Sequence, residues 1–244
     1  MNATMVRQGA QVNASAVLAE WTKLRTTPGP GWLLLATVAV TVALGSAVCV
    51  DGCDVPRIAL SGVYLGQATV AVLGVLVVGA EFSCGLIRTT LAAVPGRAVM
   101  LAAKALVLAV PVAIAAAVAV GVCLARLPTH DGPVLRAALG TTVYLVLIAV
   151  MSVGVAAVVR DSGAAVGTVL GLLYLPPILV RAVSGSELRE FVERVSPMSA
   201  GLAVQATTDL DRLPIGPWAG LGVLACWAAA ALLAGFLALR LRDT

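Results

Sequence analysis

Ionisable and nucleophilic side chains are scarce in this chain, and their positions exclude most chemistry before any element is assigned. Lysine occurs only at Lys23 and Lys104 in 244 residues. A phosphate-cradling loop of the form G-x-x-x-x-G-K-[ST] needs a lysine directly after its second glycine, and neither position fits. His130 is the sole histidine, beside Asp131-Gly132, so an imidazole metal site or a catalytic triad has almost nothing to build on. Cys84, Cys123 and Cys226 are far apart and fall in or beside apolar stretches, where cysteine behaves as a small hydrophobe. Only Cys49 and Cys53 are close enough in sequence to meet, and whether they pair stays open. No catalytic residue, cofactor site or metal site is expected, and the chain reads as a non-enzyme.

The acidic residues narrow the choice further. Ion-driven carriers keep an ionisable group at membrane depth, where it is expensive and retained for coupling. Here no carboxylates pair within the apolar stretches, and the nearest candidate is Glu81, at the end of one of them. What remains is polar and uncharged: Gln67, Tyr64, Thr69, Thr141, Thr142, Tyr144, Ser152, Thr168 and Tyr174. Such groups can line a path for an amphipathic molecule, with Gln67 and Tyr144 the leading pair, or they can hydrogen-bond across helices. A membrane protein with neither an ATP site nor a coupling acid draws its energy from a partner.

The elements that must position these groups are six apolar stretches at about 32–50, 58–80, 105–125, 137–159, 164–180 and 217–239, most near the ~20 residues a helix needs to cross a bilayer. With 60% hydrophobic and 11% charged residues, the expected fold is all-α: a polytopic membrane protein of six transmembrane helices in a single membrane domain over 1–244, embedded in the lipid bilayer. The net charge of +4 is small and scattered, which argues against nucleic acid as a partner. Its use is topological. One side carries Arg7, Lys23, Arg25, Arg88, Arg97, Lys104, Arg160, Arg240 and Arg242; the other carries Arg57, Arg126, Arg136, Arg181, Arg189, Arg194 and Arg212. Nine against seven favours a multi-pass plasma-membrane protein with both termini cytoplasmic.

Three segments outside the spans carry pattern. Within 13–27, Val17, Leu18, Trp21 and Leu24 share a helical face with Glu20, Lys23 and Arg25 away from its centre, which reads as an interfacial helix or, failing that, a flexible leader. Thr27-Pro28-Gly29-Pro30-Gly31 should break it before the chain enters the bilayer at Trp32. The loop 81–97 sets Glu81, Arg88, Thr89 and Arg97 among helix formers around Pro95-Gly96, and is either a partner surface or a solvated connection. On the far side Ser184 to Glu187 has capping-box spacing, followed by Leu188, Phe191, Val192 and Val195 on one face and the i,i+4 pairs Arg189–Glu193 and Glu190–Arg194. That segment reads as a second surface helix ended by Pro197. In the fifth span Gly163, Gly167 and Gly171 form a small-residue stripe for close helix approach, within one subunit or between subunits; Gly62 and Gly66 make a shorter one in the second span.

At this point the residues carry a resemblance. Ala19-Glu20-Trp21-Thr22-Lys23-Leu24-Arg25-Thr26, the run Gly79-Ala80-Glu81-Phe82 through Gly85-Leu86-Ile87-Arg88-Thr89-Thr90-Leu91 to Pro95, Arg97 and Lys104, and Arg194-Val195-Ser196-Pro197 with Ala200-Gly201 resemble the transmembrane (permease) subunits of type-2 ABC exporters, particularly actinobacterial ones. The resemblance extends over nearly the whole chain, with Phe82 standing where tyrosine is commoner. It implies a permease driven by a separate ATP-binding cassette subunit, with ATP held by that partner and no cofactor in this chain. It further implies ATPase coupling through Glu81, Arg88, Thr89 and Arg97, and pairing with a second permease copy or paralogue, with Gly163, Gly167 and Gly171 as interface candidates. The alternatives are a non-transporting membrane scaffold or immunity protein and an ion-coupled secondary carrier. Substrate, direction of transport beyond the resemblance, and homodimer against heterodimer stay open.

Overall fold

The computed structural model describes residues 17–45, 55–85, 96–125, 127, 131–182 and 186–242. Among these all the regular structure is helical, with no strand: α1 (Val17–Thr26), α2 (Pro28–Leu44), α3 (Val55–Ala59), α4 (Val63–Ser83), α5 (Arg97–Leu124), α6 (Gly132–Val159), α7 (Ser162–Ala182), α8 (Ser186–Val195), α9 (Pro197–Leu202) and α10 (Pro217–Arg242), with short 3₁₀ turns at Ala203–Gln205 and Leu210–Arg212. Five helices are long and apolar enough to cross a membrane: α4 with part of α3, α5, α6, α7 and α10. A sixth crossing depends on taking the bent pair α1–α2 as one span. The helices are compatible with a multi-pass membrane protein.

The entry to α2 differs from the sequence expectation in an instructive way. The break falls within the expected Thr27–Gly31 run but is narrower than it: the 76° bend is at Thr27, and Pro28–Gly31 already form the first turn of α2. The first turn of a helix has no intrahelical partner for its N–H groups, so Pro28 and Pro30 remove nothing that was in use there. Thr27, preceding a proline, is pushed into the extended region at φ −87°, ψ 126°, and that single residue makes the turn. The hydroxyls of Thr22, Thr26 and Thr27 accept no such disruption passively: each donates to a carbonyl of α1, at 2.8 Å to Leu18, 2.9 Å to Thr22 and 2.6 Å to Lys23.

Helix α6 is the axis of the bundle, packed against α4, α5 and α10. Small residues set the spacing. A Cβ on Gly74 would lie 2.7 Å from both the Ala149 carbonyl oxygen and the Ser152 Cβ, and one on Gly235 would lie 2.9 Å from the Gly154 oxygen. Without those Cβ atoms α4 and α10 close onto α6 backbone to backbone, which is how helices associate when lipid offers no hydrophobic drive between them. Leu145, Ile148, Met151 and Val153 fill the resulting core. The small-residue pair Gly62 and Gly66 does the same for α2, both lying against Thr41.

Helix α7 runs to Ala182 through Pro176 and Pro177 without a break. Its start is capped by Asp161, whose Oδ1 accepts from the Ala164 N–H at 2.7 Å, the usual role of an N-cap carboxylate. Beyond it, α8 carries the expected pairs Arg189–Glu193 (3.0 Å) and Arg194–Glu190 (2.6 Å), with Leu188, Phe191 and Val195 exposed on its apolar side. Pro197 opens the short α9 with Ser196 as its N-cap, so it ends one helix by starting another. Ser184, the expected capping residue of α8, lies outside the described residues, as do Cys49, Cys53 and His130.

Candidate functional site

Both lysines of the chain meet two of its glutamates at one end of the bundle. Lys104 Nζ lies 2.8 Å from Glu20 Oε2 and 2.7 Å from Glu81 Oε1, while Lys23 Nζ lies 3.1 Å from Glu20 Oε1 and 2.8 Å from Glu81 Oε1. The four side chains come from α1, the end of α4 and the start of α5, so the cluster ties α1 to two long helices. Lys104 is only 1% exposed and Glu81 7%. Charges this buried are tolerated only when paired, and here each lysine serves two carboxylates. Desolvation opposes the charged form of Lys23, yet Glu81 and Glu20 together outweigh it and hold its ammonium above the ordinary lysine value. Glu81 Oε2 is the exception in this network: it is buried with no hydrogen-bond partner among the described residues.

A cavity of about 510 Å³ opens beside the cluster, beneath the α1–α2 bend. Glu20, Lys23, Glu81 and Lys104 line one part of it, and Leu33, Leu73, Val77 and Val107 the rest. The arrangement has no nucleophile activated by a base and no imidazole. Among the described residues, His, Cys, Asp and Glu nowhere gather in threes in a way that could hold a metal ion. What it can do chemically is bind and position, since both signs of charge sit at the edge of an apolar space.

The sequence-derived site residues fall into three groups. Glu81 belongs to the cluster. Arg97, at the first position of α5, donates through Nη1 to the carbonyls of Leu239 (2.6 Å) and Arg240 (3.0 Å) at the end of α10. Arg160 adds a bond to Ala238 O at 2.9 Å and lies over the Phe82 ring at 5.5 Å. Two guanidinium groups thus satisfy the last carbonyls of α10, where the helix dipole also favours positive charge. Arg88 and Thr89 lie outside the described residues.

Gln67 and Tyr144 sit in the core between α4 and α6, both fully buried. The Tyr144 hydroxyl donates to Gln67 Oε1, and Gln67 Nε2 donates to Tyr64 O at 3.1 Å and Met198 Sδ at 3.2 Å. These groups bond across helices, so a route along them requires α4 and α6 to part. Gly163, Gly167 and Gly171 face away from the bundle. A Cβ on Gly167 would meet nothing within 4 Å, and on Gly163 and Gly171 only Asp161 and Leu175, near neighbours in the chain.

No protein-family model and no curated protein matches the chain.

Sequence reasoning missed the joining of Glu20, Lys23 and Lys104 to Glu81. The spacing puts Glu20 away from the centre of α1's apolar face; in the structure it is buried against Lys104 of α5 while Leu18 and Trp21 are exposed. The helix is turned so that Glu20 faces α5 and Leu24 packs against the core, which leaves Leu18 and Trp21 on the outside. One signal was available. In a chain whose other fourteen basic residues are arginine, two lone lysines on the same side of the spans mark the place where a compact, three-donor ammonium is needed.

Proposed function

We propose that this chain is the permease subunit of an ATP-binding-cassette exporter, forming the membrane pathway and driven by a separate ATPase subunit. The observation that carries the reading is the anchoring of the segment between α4 and α5. Glu81, in the last turn of α4, is ion-paired to α1 and α5, and Arg97, the first residue of α5, is bonded to α10. A push on 84–96 by a partner would reach four helices through those two anchors, which is what coupling by rigid-body movement requires. In this reading Glu81, Arg88, Thr89 and Arg97 transmit the ATPase movement. Both termini lie in the cytoplasm of a plasma-membrane protein, and the bare glycine face of α7 meets a second permease copy or a paralogue. Replacing Arg88 with Ala should abolish co-purification of the ATPase while leaving the amount of permease in the membrane unchanged. Loss of the permease itself from the membrane would count against the coupling role.

The second reading is a non-transporting scaffold or immunity protein, favoured by the closed Gln67–Tyr144 contact, which leaves no path between α4 and α6. Transport measured with Gln67→Leu separates the two, since a scaffold is indifferent to that change. An ion-coupled carrier is disfavoured because Glu81 is already held by two ammonium groups.

A further inference from the structure

We infer that Leu18, Trp21 and Arg25 form a docking stripe for anionic phospholipid, phosphatidylglycerol being the type, in the leaflet on which α1 lies. Three observations converge. The first is orientation. Helix α2 packs along α4 and α5, and α1 leaves it at 76°, so α1 runs across the end of the bundle instead of continuing through the apolar layer. Leu18, Trp21 and Arg25 follow at i, i+3 and i+7 and share one side of the helix. Glu20 and Leu24 are turned to the protein, which leaves Leu18 64% and Trp21 40% exposed.

The second is unused hydrogen-bonding capacity on that side. Arg25 is exposed, and neither its guanidinium nor the Trp21 indole N–H has a partner among the described residues. An indole set in apolar surface with a free N–H suits the headgroup level of a bilayer. A guanidinium one turn along offers its donor fork to phosphate oxygens. The third is the sign of the charge. Glu20 is the one acidic residue of α1, and it is buried and paired with Lys104 of α5. The cluster of two glutamates and two lysines sums to zero, so the excess positive charge of α1 is Arg25's. Of the other cations at this end, Arg97 and Arg160 donate to carbonyls of α10, which leaves Arg25 the guanidinium beside the apolar stripe. A choline lipid satisfies the stripe but brings its own ammonium to Arg25; an anionic lipid satisfies both.

The inference holds equally for a permease, a scaffold or a carrier. The test uses the full-length chain carrying Trp32→Phe, Trp218→Phe and Trp227→Phe, so that Trp21 alone of its four tryptophans emits. The protein is placed in vesicles of equal phosphatidylglycerol and phosphatidylcholine, with brominated acyl chains on one lipid at a time. Quenching of Trp21 should report phosphatidylglycerol enriched about fivefold over phosphatidylcholine, the ratio for one basic residue close to an anionic surface. Arg25→Gln should bring the two lipids to equal quenching while Trp21 remains in contact with both. If the triple variant does not fold, the unmodified chain in mild detergent gives the same reading by native mass spectrometry, as the ratio of the two lipids retained with and without Arg25→Gln. Equal enrichment of the two lipids around the parent chain overturns the inference. So does absence of quenching by either lipid, because water or a second copy then covers the stripe. A phosphatidylglycerol preference unchanged by Arg25→Gln overturns it as well, since other cations would then be selecting.

Discussion

Helices α4 and α7 carry the same small-residue signal and use it oppositely. Along α4 the pair Gly62 and Gly66 is filled by Thr41 of α2, and a Cβ on Gly62 would strike the Thr41 backbone itself. Beside it the Thr37 and Thr69 hydroxyls share a hydrogen bond of 2.6 Å across the same seam. At its other end α4 is held by the Glu81 ion pairs. Along α7 a Cβ on Gly163, Gly167 or Gly171 would meet no other helix, and only 22% of an 18-residue apolar stretch of that helix is buried against 56% for the corresponding stretch of the span containing α4. A glycine stripe therefore states that a backbone can come close, and only the tertiary arrangement states whether one from this chain does. In α4 the approach is made within the chain; in α7 the surface is left for lipid or for another copy.

Lys104→Met removes an ammonium shared by two buried carboxylates, leaving Glu20 and Glu81 with Lys23 alone. Breaking one partner of a buried ionic network costs about 3–5 kcal/mol, read as loss of folded protein in a detergent-unfolding titration. Wild-type stability in that variant would mean that α1 is not docked through the cluster. Gly62→Ala should cost about 1–3 kcal/mol, the range for overpacking a close contact, because the obstacle is backbone and cannot rotate away. Arg97→Gln gives up charge-assisted bonds to the end of α10 and should cost about 1–2 kcal/mol, seen as faster hydrogen exchange near Leu239 and Arg240.

The smallest effect completes the comparison. Gly167→Ala, chemically identical to Gly62→Ala, should leave the stability of the single chain unchanged or raise it by up to about 1 kcal/mol through better helix propensity. If α7 meets a second copy, the same variant weakens self-association measured by cross-linking in the membrane. A destabilised monomer would contradict the open face seen along α7.

Much of the architecture was legible in the sequence because lipid demands long uninterrupted apolar helices. The stretches 137–159, 164–180 and 217–239 fall within α6, α7 and α10, and 105–125 overlaps α5 to its end; 58–80 begins in α3 and runs through α4, and 32–50 overlaps α2 and extends past the described residues. The surface helix at 186–195 was also legible, since its ion pairs and apolar face repeat with helical period. The break at the Thr27–Gly31 run was legible too; its restriction to Thr27 was not, because a proline that breaks a helix from inside is harmless in the first turn of the next one. The four-charge cluster was hidden for a different reason. Glu20 and Lys104 are 84 positions apart, and no periodicity within one segment announces a pairing between segments. Nor could the pattern of Gln67 and Tyr144 decide between lining a path and bonding to one another; both uses place a polar group on an inward face.

The central claim is that an ATPase on a separate chain drives this one through the segment anchored at Glu81 and Arg97. The most direct test is extraction of the tagged full-length protein from its native membrane in mild detergent, with identification of every retained chain and chemical cross-linking of the 84–96 segment. The account predicts a stoichiometric ATP-binding cassette protein whose cross-links fall in that segment. Recovery of the intact protein with no ATPase, under conditions that keep other membrane complexes whole, would contradict it.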